Sequence, residues 1–508
     1  MANEIELKFS VESKHIQLLR RYLARRFNGN KPTNRKLVTI YYDTPNLALL
    51  NTGISLRIRR ISGDWIQSIK AAGSAIAGLH QRMEWEANIK SDQPDFSKIL
   101  DAELAKVFSN LDIRNTIKPI FKTVILRSEY QIILENGDHI ELAIDKGHLV
   151  VNEVQEPISE IELELKNGHV GKLFNLALEI QNVIPIKLDN HSKAAHGYCH
   201  FHTCHPKVQY AHPPILNKQL NSFDAFKQIV WECIHHLQGN QDIVLQHADA
   251  EGVHQMRVAI RRLRSAFAVF KVIISDKEVV SILAELKWLA NILGKARDLD
   301  VLMLETIPNI STYSNHAEII KNLHDSARIF HTKAYDEVHK ALTSQRYERL
   351  ILKLSAWLEN AQWHQTTSKS KHAKIIELAT NTLSKHHQQL LKSGRELSHM
   401  QPKDRHAVRI YAKKLRYTTE YFSTLFNKKK SKSFINHLSK LQDTLGMLND
   451  INNTELLVRQ LIKSQRDQNL KKSVLKIFEE WSTDNTKHQL KKIKSIWRKF
   501  SNQKPFWI

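Results

Sequence analysis

Cysteine is scarce: Cys199, Cys204 and Cys233 are the three in 508 residues, too few for a disulfide framework. No apolar run approaches the roughly 20 residues a membrane-spanning helix needs, so no membrane partner is expected. Met1 to Phe9 alternate polar and apolar, which leaves no apolar stretch for a secretory leader. A Walker loop, a dinucleotide fingerprint and a nucleophile elbow are also missing. The cluster running from Cys199 to His205 matches no zinc spacing. These absences point to a soluble cytoplasmic protein that relies on none of those devices.

Positive charge, by contrast, is abundant. The formal net charge is +23, which favours a polyanionic partner. Residues 1–200 hold 26 basic and 24 acidic groups, and the remaining residues carry a balance of +21. The first part mixes both signs, as a metal-plus-anion site requires, whereas the second is simply basic. With 42% hydrophobic and 25% charged residues the chain is globular, and its length implies two or more domains.

Up to about residue 200, period-2 alternation recurs, for example in Glu4–Phe9, Ser55–Arg60, Arg82–Glu86, Ile140–Asp145 and Ile158–Leu165. Helices are expected near Ser13–Phe27 and Val170–Asn182. The stretch 204–220, with Pro206, Pro213 and Pro214, reads as a linker. From residue 221 to 508 the period becomes 3.6, with little glycine or proline. The expected class is α+β: an antiparallel β-tunnel, a closed barrel, over residues 1–203, followed by an all-α domain.

That helical part is duplicated. His254-Gln-Met-Arg257-Val-Ala-Ile-Arg261-Arg262-Leu-Arg264 recurs as His406-Ala-Val-Arg409-Ile-Tyr-Ala-Lys413-Lys414-Leu-Arg416, offset by 152 residues. Leu293-Gly294-Lys-Ala-Arg297-Asp298 recurs at the same offset as Leu445-Gly446-Met-Leu-Asn449-Asp450. Positions i, i+3, i+7 and i+10 share a helix face. His254, Arg257, Arg261 and Arg264 therefore form a basic stripe, and His406, Arg409, Lys413 and Arg416 form its copy. One such stripe is as well explained by a solvated face. The duplicated pair favours an anion groove, with Asp298 and Asp450 orienting the arginines.

In the strands, alternate residues share a face. Glu4, Glu6 and Lys8 lie together, as do Arg57 and Arg59, Ser68 and Lys70, and Arg82, Glu84 and Glu86. So do Glu141 and Asp145, and Glu160, Glu162 and Glu164. A half-exposed sheet would explain any one of these faces. Read together they suit a barrel with its charged face inward, where buried charges must be paired or bind ions. Carboxylates suit hard Mg²⁺ or Mn²⁺, and arginine and lysine suit the charges of a triphosphate.

These residues resemble the CYTH family, the triphosphate tunnel metalloenzymes. The pieces are Glu4-Ile-Glu6-Leu-Lys8, Tyr41-Tyr42-Asp43-Thr44-Pro45, Leu56-Arg57-Ile-Arg59, Ile69-Lys70, His80-Gln-Arg82-Met-Glu84, Glu141 to Gly147, Glu160 to Leu165 and Ser192 to Tyr198. The repeated histidine–arginine segments resemble the CHAD family, helical domains associated with polyphosphate. Together the resemblances imply a two-domain inorganic triphosphatase that uses Mg²⁺, with Mn²⁺ as an alternative. They imply Glu4, Glu6 and Lys8 as the catalytic group, and Glu4, Glu6, Asp145, Glu160, Glu162 and Glu164 for metal or water. Lys8, Arg57, Arg59, Lys70, Arg82, Arg127 and Lys193 are implied for triphosphate, and the two basic stripes for polyphosphate. His196 stands where the family often has arginine, which weakens or removes a contact there. No aromatic-interleaved motif of the kind that stacks bases is present, so polyphosphate ranks above nucleic acid. Thiamine or nucleoside triphosphates, a cyclase-like reaction and a non-catalytic polyphosphate binder stay open as alternatives.

Overall fold

The computed structural model describes residues 2–27, 31–61, 63–71, 73–202, 204–274, 277–313, 316–360, 374–464 and 468–508. The chain divides into two compact units, Met1–Pro206 with Ser344–Ala361, and Lys207–Thr343 with Gln362–Ile508. No described helix is long and apolar enough to cross a membrane.

In the first unit the alternating segments form ten antiparallel strands. They are β1 (Ala2–Ser10), β2 (Thr33–Asp43), β3 (Ser55–Ile61), β4 (Asp64–Lys70), β5 (Ser74–Ile76), β6 (Leu79–Ile89), β7 (Lys118–Ile133), β8 (His139–Val151), β9 (Val154–Asn167) and β10 (Lys187–Leu188). Their order is β10-β1-β9-β8-β7-β2-β3-β4-β6-β5, and β1 also pairs with β6. That last pairing closes eight strands into a barrel and leaves only the short β5 and β10 outside the ring. The two expected helices are present as Ile16–Arg26, preceded by a short 3₁₀ turn, and Gly171–Gln181.

The outward strand face is apolar and buried, with Leu7, Phe9, Leu56, Ile58, Ile140, Leu142, Ile144, Ile161 and Leu163 almost inaccessible. Residues Leu49, Ile99, Leu104 and Phe108 cover one side of it in a single cluster with Leu56, Ile58 and Ile69. The inward parity of β2, β7 and β8 runs on to Tyr41, Phe121 and Leu149, which join Tyr198 in an apolar cluster. Gly197 permits this approach, since a Cβ there would lie 2.1 Å from the Phe121 ring. Asp43 is fully buried and accepts hydrogen bonds from Tyr198 Oη at 2.9 Å and from the amides of Thr44, Leu49 and Leu50. The Tyr-Asp-Thr-Pro segment is thus a structural hub rather than a chemical one.

Helix Gln345–Glu359 belongs to this unit although it comes from the helical half of the sequence. Ser344 caps it, accepting from the Tyr347 amide, and Tyr347, Leu350, Ile351, Leu354, Trp357 and Leu358 are buried. It packs against Gly171–Gln181 and touches β10.

The second unit repeats a four-helix pattern. Ser222–Gln238, Ala250–Val269, Glu278–Val301 and Ala317–Leu342 are followed by Ile375–Ser393, Pro402–Phe422, Lys428–Leu461 and Gln468–Ser501. In each set, consecutive helices pack in the same order, as the 152-residue offset predicts. Among the described residues, 204–220 contain no helix or strand. Cys199 and Cys204 are disulfide-bonded, which removes both thiolates from any soft-metal role for the 199–205 cluster, of which Thr203 lies outside the described residues.

Candidate functional site

Register alone assembles the tunnel wall. Glu4 stands across from Arg82, Glu6 from Glu164, and Lys8 from Glu162. Asp145 opposes both Glu160 and Arg127, and Arg127 opposes Arg35. Arg59 opposes Thr39, Arg57 opposes Ser68, and Lys70 opposes Glu84. Barrel closure therefore turns one strand parity inward, and the period-2 faces of the sequence converge on a cavity of about 630 Å³. Glu4, Glu6, Arg57, Arg59, Lys70, Arg82, Arg127, Glu162, Glu164 and Lys193 line it. Lys8, Asp145 and Glu160 are buried alongside.

The charges interdigitate rather than forming one acidic and one basic wall. Lys70 Nζ lies 2.5 Å from Glu4, Arg82 2.6 Å from Glu6, and Arg57 2.8 Å from Glu84. Lys8 Nζ lies 2.8 Å from Glu160 and donates to the His191 carbonyl at 2.9 Å. Arg127 forks onto Asp145 at 2.7 Å through two nitrogens and reaches Glu162 at 2.5 Å. Each pairing offsets desolvation that would otherwise be prohibitive. Burial works against ionisation of Glu162, yet Lys193 and Arg127 hold it well below the usual carboxylate range, and Asp145 is depressed for the same reasons. Lys8, also opposed by burial, is raised by Glu160 and Asp189.

Arg59 differs. Its Nε donates to Thr39 Oγ1 at 3.2 Å, and no described carboxylate lies within ion-pair distance. Burial, then Arg57 and Arg127, push its pKa down to about 10. Among the carboxylates lining the tunnel, Glu164 is one whose pKa burial raises, even with Lys166 2.7 Å away.

Asp145, Glu160 and Glu162 place three oxygens within 4.8 Å of one another, a hard donor set of the kind Mg²⁺ or Mn²⁺ prefers. The Lys193 ammonium contacts all three, at 2.7 Å from Asp145 and Glu162. The trio is therefore arranged around positive charge, and these residues fit a divalent cation. Arg35, Glu129 and Asp189 were not singled out by sequence reasoning. Arg35 and Glu129 share the inward parity of Arg127 on β2 and β7, which is the signal that could have found them.

In the second unit the two stripes meet. A cavity of about 950 Å³ is lined by His254, Arg257, Arg261, His406, Arg409, Lys413 and Arg416, together with Arg297, Asp298 and Asp450. Gly294 and Gly446, the repeated glycines, lie beneath paired arginines: a Cβ on Gly294 would meet Arg257 Nη1 at 2.4 Å, and one on Gly446 would meet Arg409 Nη2 at 3.4 Å. The buried Nε atoms of Arg261 and Arg409 have no hydrogen-bond partner among the described residues. Burial and four surrounding arginines, Arg297 foremost, push His254 down to about 4, so it is neutral at pH 7. His406 Nδ1 instead meets Asn449 at 2.6 Å.

Arg264 does not join this groove; it is exposed. Its repeat-mate Arg416 is held by Glu420 at 2.8 Å, and Ala268 stands at the place corresponding to Glu420. Arg297 lines the groove although it is no part of either basic stripe, and Asn449 stands at its place in the copy.

Residues 2–198 match the CYTH domain model and residues 228–459 the CHAD domain model. An inorganic triphosphatase of Haemophilus influenzae is 32% identical over 200 residues, 39% of this chain and 55% of that protein. An uncharacterised protein of Mycobacterium tuberculosis is 32% identical over 34% of each chain. The chain thus spans about half the length of the first curated relative and about a third of the second. The crystal structure of the CHAD domain from the plant Ricinus communis aligns with a TM-score of 0.51 at 25% identity, covering 57% of this chain and 96% of that one.

Proposed function

From a chain that joins a CYTH domain to a CHAD domain, we infer that the tunnel hydrolyses inorganic triphosphate to pyrophosphate and phosphate with a divalent metal, and that the helical groove binds polyphosphate. The observation that carries the first part is Arg59, a half-buried cation with no described carboxylate in ion-pair range, among neighbours that each have one. A bound polyanion supplies what it lacks.

Arg57, Arg59, Lys70, Arg82, Arg127 and Lys193 bind and orient phosphate oxygens, arginine through forked contacts. As these cations turn toward phosphate, carboxylates are freed from their ion pairs. Glu4, Glu6, Asp145, Glu160 and Glu162 would hold Mg²⁺ or Mn²⁺. When bound, the cation shields phosphate charge and polarises its oxygens. Lys8, fixed between Glu160 and the His191 carbonyl, keeps positive charge beside the reacting chain. Glu164, whose proton affinity burial raises, is suited to accept the proton of the attacking water as the terminal P–O bond breaks.

The groove reading rests on buried arginine Nε atoms without a hydrogen-bond partner among the described residues, and on the lack of an aromatic-interleaved motif in the sequence. The decisive experiment measures phosphate release from triphosphate, thiamine triphosphate, ATP and long polyphosphate, in Mg²⁺ and in Mn²⁺. Triphosphate should be turned over fastest; equal rates on ATP would end the specificity claim. Polyphosphate binding should persist in a Glu4→Gln, Glu6→Gln variant, and loss of both activities together would break the assignment of two sites.

A further inference from the structure

Beside the tunnel carboxylates lies a second cluster of different chemistry. Asp189, His191 and His196 each bring one ligand atom within 4.8 Å of the others. Asp189 follows β10, and its backbone is held twice: its amide donates to the Lys8 carbonyl at 3.1 Å, and its carbonyl meets His80 Nε2 at 2.8 Å. Asn190 Oδ1 accepts from the Gly78 amide at 2.7 Å. His196 sits in helix Lys193–Phe201, whose start Ser192 caps through the Ala195 amide. The frame is therefore rigid before any ligand arrives.

The side chains already converge. His196 Nε2 lies 3.1 Å from Asp189 Oδ2, and His191 Nδ1 lies 3.8 Å from Asp189 Oδ1. The two imidazole rings stand edge to face, 5.5 Å apart, and each is about half exposed. Both rings are therefore open to an incoming ion, whereas Asp145 and Glu160 of the tunnel trio are buried.

We propose that Asp189, His191 and His196 form a binding site for a borderline divalent cation such as Zn²⁺, separate from the all-oxygen site of the tunnel. Two imidazole nitrogens and one carboxylate oxygen are a zinc donor set, with a fourth position left to water. Mg²⁺ prefers oxygen ligands throughout, so ligand softness separates the two sites. Arginine at position 196 would offer no such ligand; the histidine there converts a charge into a donor.

Occupancy reaches the tunnel through Asp189. Its Oδ2 lies 3.3 Å from Lys8 Nζ. A cation that takes this carboxylate withdraws it from Lys8 and places positive charge near the ammonium, leaving Glu160 as its counter-ion. Zn²⁺ therefore slows triphosphate turnover. This consequence rests on the tunnel reading above; the binding site does not.

The test uses the full chain in millimolar Mg²⁺, which keeps the oxygen ligands supplied. Zn²⁺ is titrated against a chromophoric chelator, and Co²⁺ serves as a visible-absorption probe of nitrogen ligation. Wild type should hold one equivalent of Zn²⁺ that a His191→Ala, His196→Ala variant does not, with the Co²⁺ bands lost in parallel. Circular dichroism checks the fold, and single His191→Asn and His196→Gln variants, each weakened on its own, answer the question if the double variant misfolds. Equal stoichiometry and affinity in wild type and variants would overturn the proposal, because the ion would then sit on other histidines. Zinc retained without any effect on turnover would overturn the Lys8 link alone. A protein inactive on every triphosphate would still report on the site.

Discussion

Lys8, Arg57, Lys70, Arg82, Arg127 and Lys193 each lie within 2.8 Å of a carboxylate, and Arg59 meets only the Thr39 hydroxyl among its described hydrogen-bond partners. Arg59 is also crowded by Arg57 and Arg127, which with burial depress its pKa to about 10. Replacing it should relieve repulsion while removing a contact to phosphate. Arg59→Met is expected to raise Tm slightly and to raise KM for triphosphate about tenfold or more, the scale of one lost charge-assisted hydrogen bond. Thermal melts and steady-state kinetics check this; a lower Tm with unchanged KM would remove Arg59 from the site. Lys193 predicts the opposite balance. Its ammonium sits among Asp145, Glu160 and Glu162, so Lys193→Met leaves these three carboxylates with one cation fewer, Arg127 and Lys8 remaining beside them. The variant should be less stable without metal. It should gain more in Tm from Mg²⁺ than wild type does, yet bind triphosphate more weakly. An identical Mg²⁺ response in the two proteins would mean the trio does not hold the metal.

At the level of elements, most of the barrel was legible because strand alternation is a local signal. Glu4-x-Glu6-x-Lys8 reports which side chains share a face, and the turn toward the interior follows once β1 pairs with both β6 and β9. What could not be read locally is which charges pair, because Glu4 meets Lys70 and Lys8 meets Glu160 across strands far apart in sequence. The duplicated groove was legible from the 152-residue offset, but Arg264 was not separable from Arg416 without the Glu420 partner. Helix Gln345–Glu359 is the least legible element: its amphipathic pattern resembles that of its sequence neighbours, and only tertiary contact assigns it to the first unit. A truncation near residue 205 would strip this helix and expose the face of Gly171–Gln181 beneath it. Each buried Leu, Ile or Trp it carries contributes roughly 1.5–3 kcal/mol, so such a fragment should melt well below the full chain and recover when 344–361 is restored. Glu348 gives a sharper test. It is buried, accepts the Leu188 amide at 3.1 Å, and burial raises its pKa to about 8. Between the ordinary carboxylate value and about 8 the folded protein binds more protons than the unfolded one, so stability falls as pH rises through that window. Glu348→Gln keeps an acceptor but cannot ionise. Its melting temperature should exceed that of wild type at pH 8 and converge with it near pH 4; equal pH profiles would place the titration elsewhere.

Across the whole molecule the +23 charge is unevenly divided, with residues 1–200 nearly balanced and the rest carrying +21. In the first part both signs converge on one cavity, whereas in the second the basic stripes line a groove with fewer carboxylates than cations. Concentrating cations in a groove has a cost that should appear in its titration. Burial, then Arg409 and Arg261, push Lys413 down to about 7, so near neutral pH it is only partly charged. A phosphate chain in the groove favours the ammonium and raises that pKa again. Above pH 7, binding therefore takes up a proton, and affinity for polyphosphate should fall as the pH rises. Below about 6 Lys413 is charged in both states and this dependence should flatten. His254 does not produce the same slope, because it titrates near 4. Lys413→Arg keeps a charge at every pH in this range, so its affinity at pH 8 should exceed that of wild type and its pH profile should be shallower. Calorimetry with long-chain polyphosphate, repeated in buffers of different ionisation enthalpy, measures the proton uptake directly. Undiminished uptake in Lys413→Arg would show that another group titrates on binding.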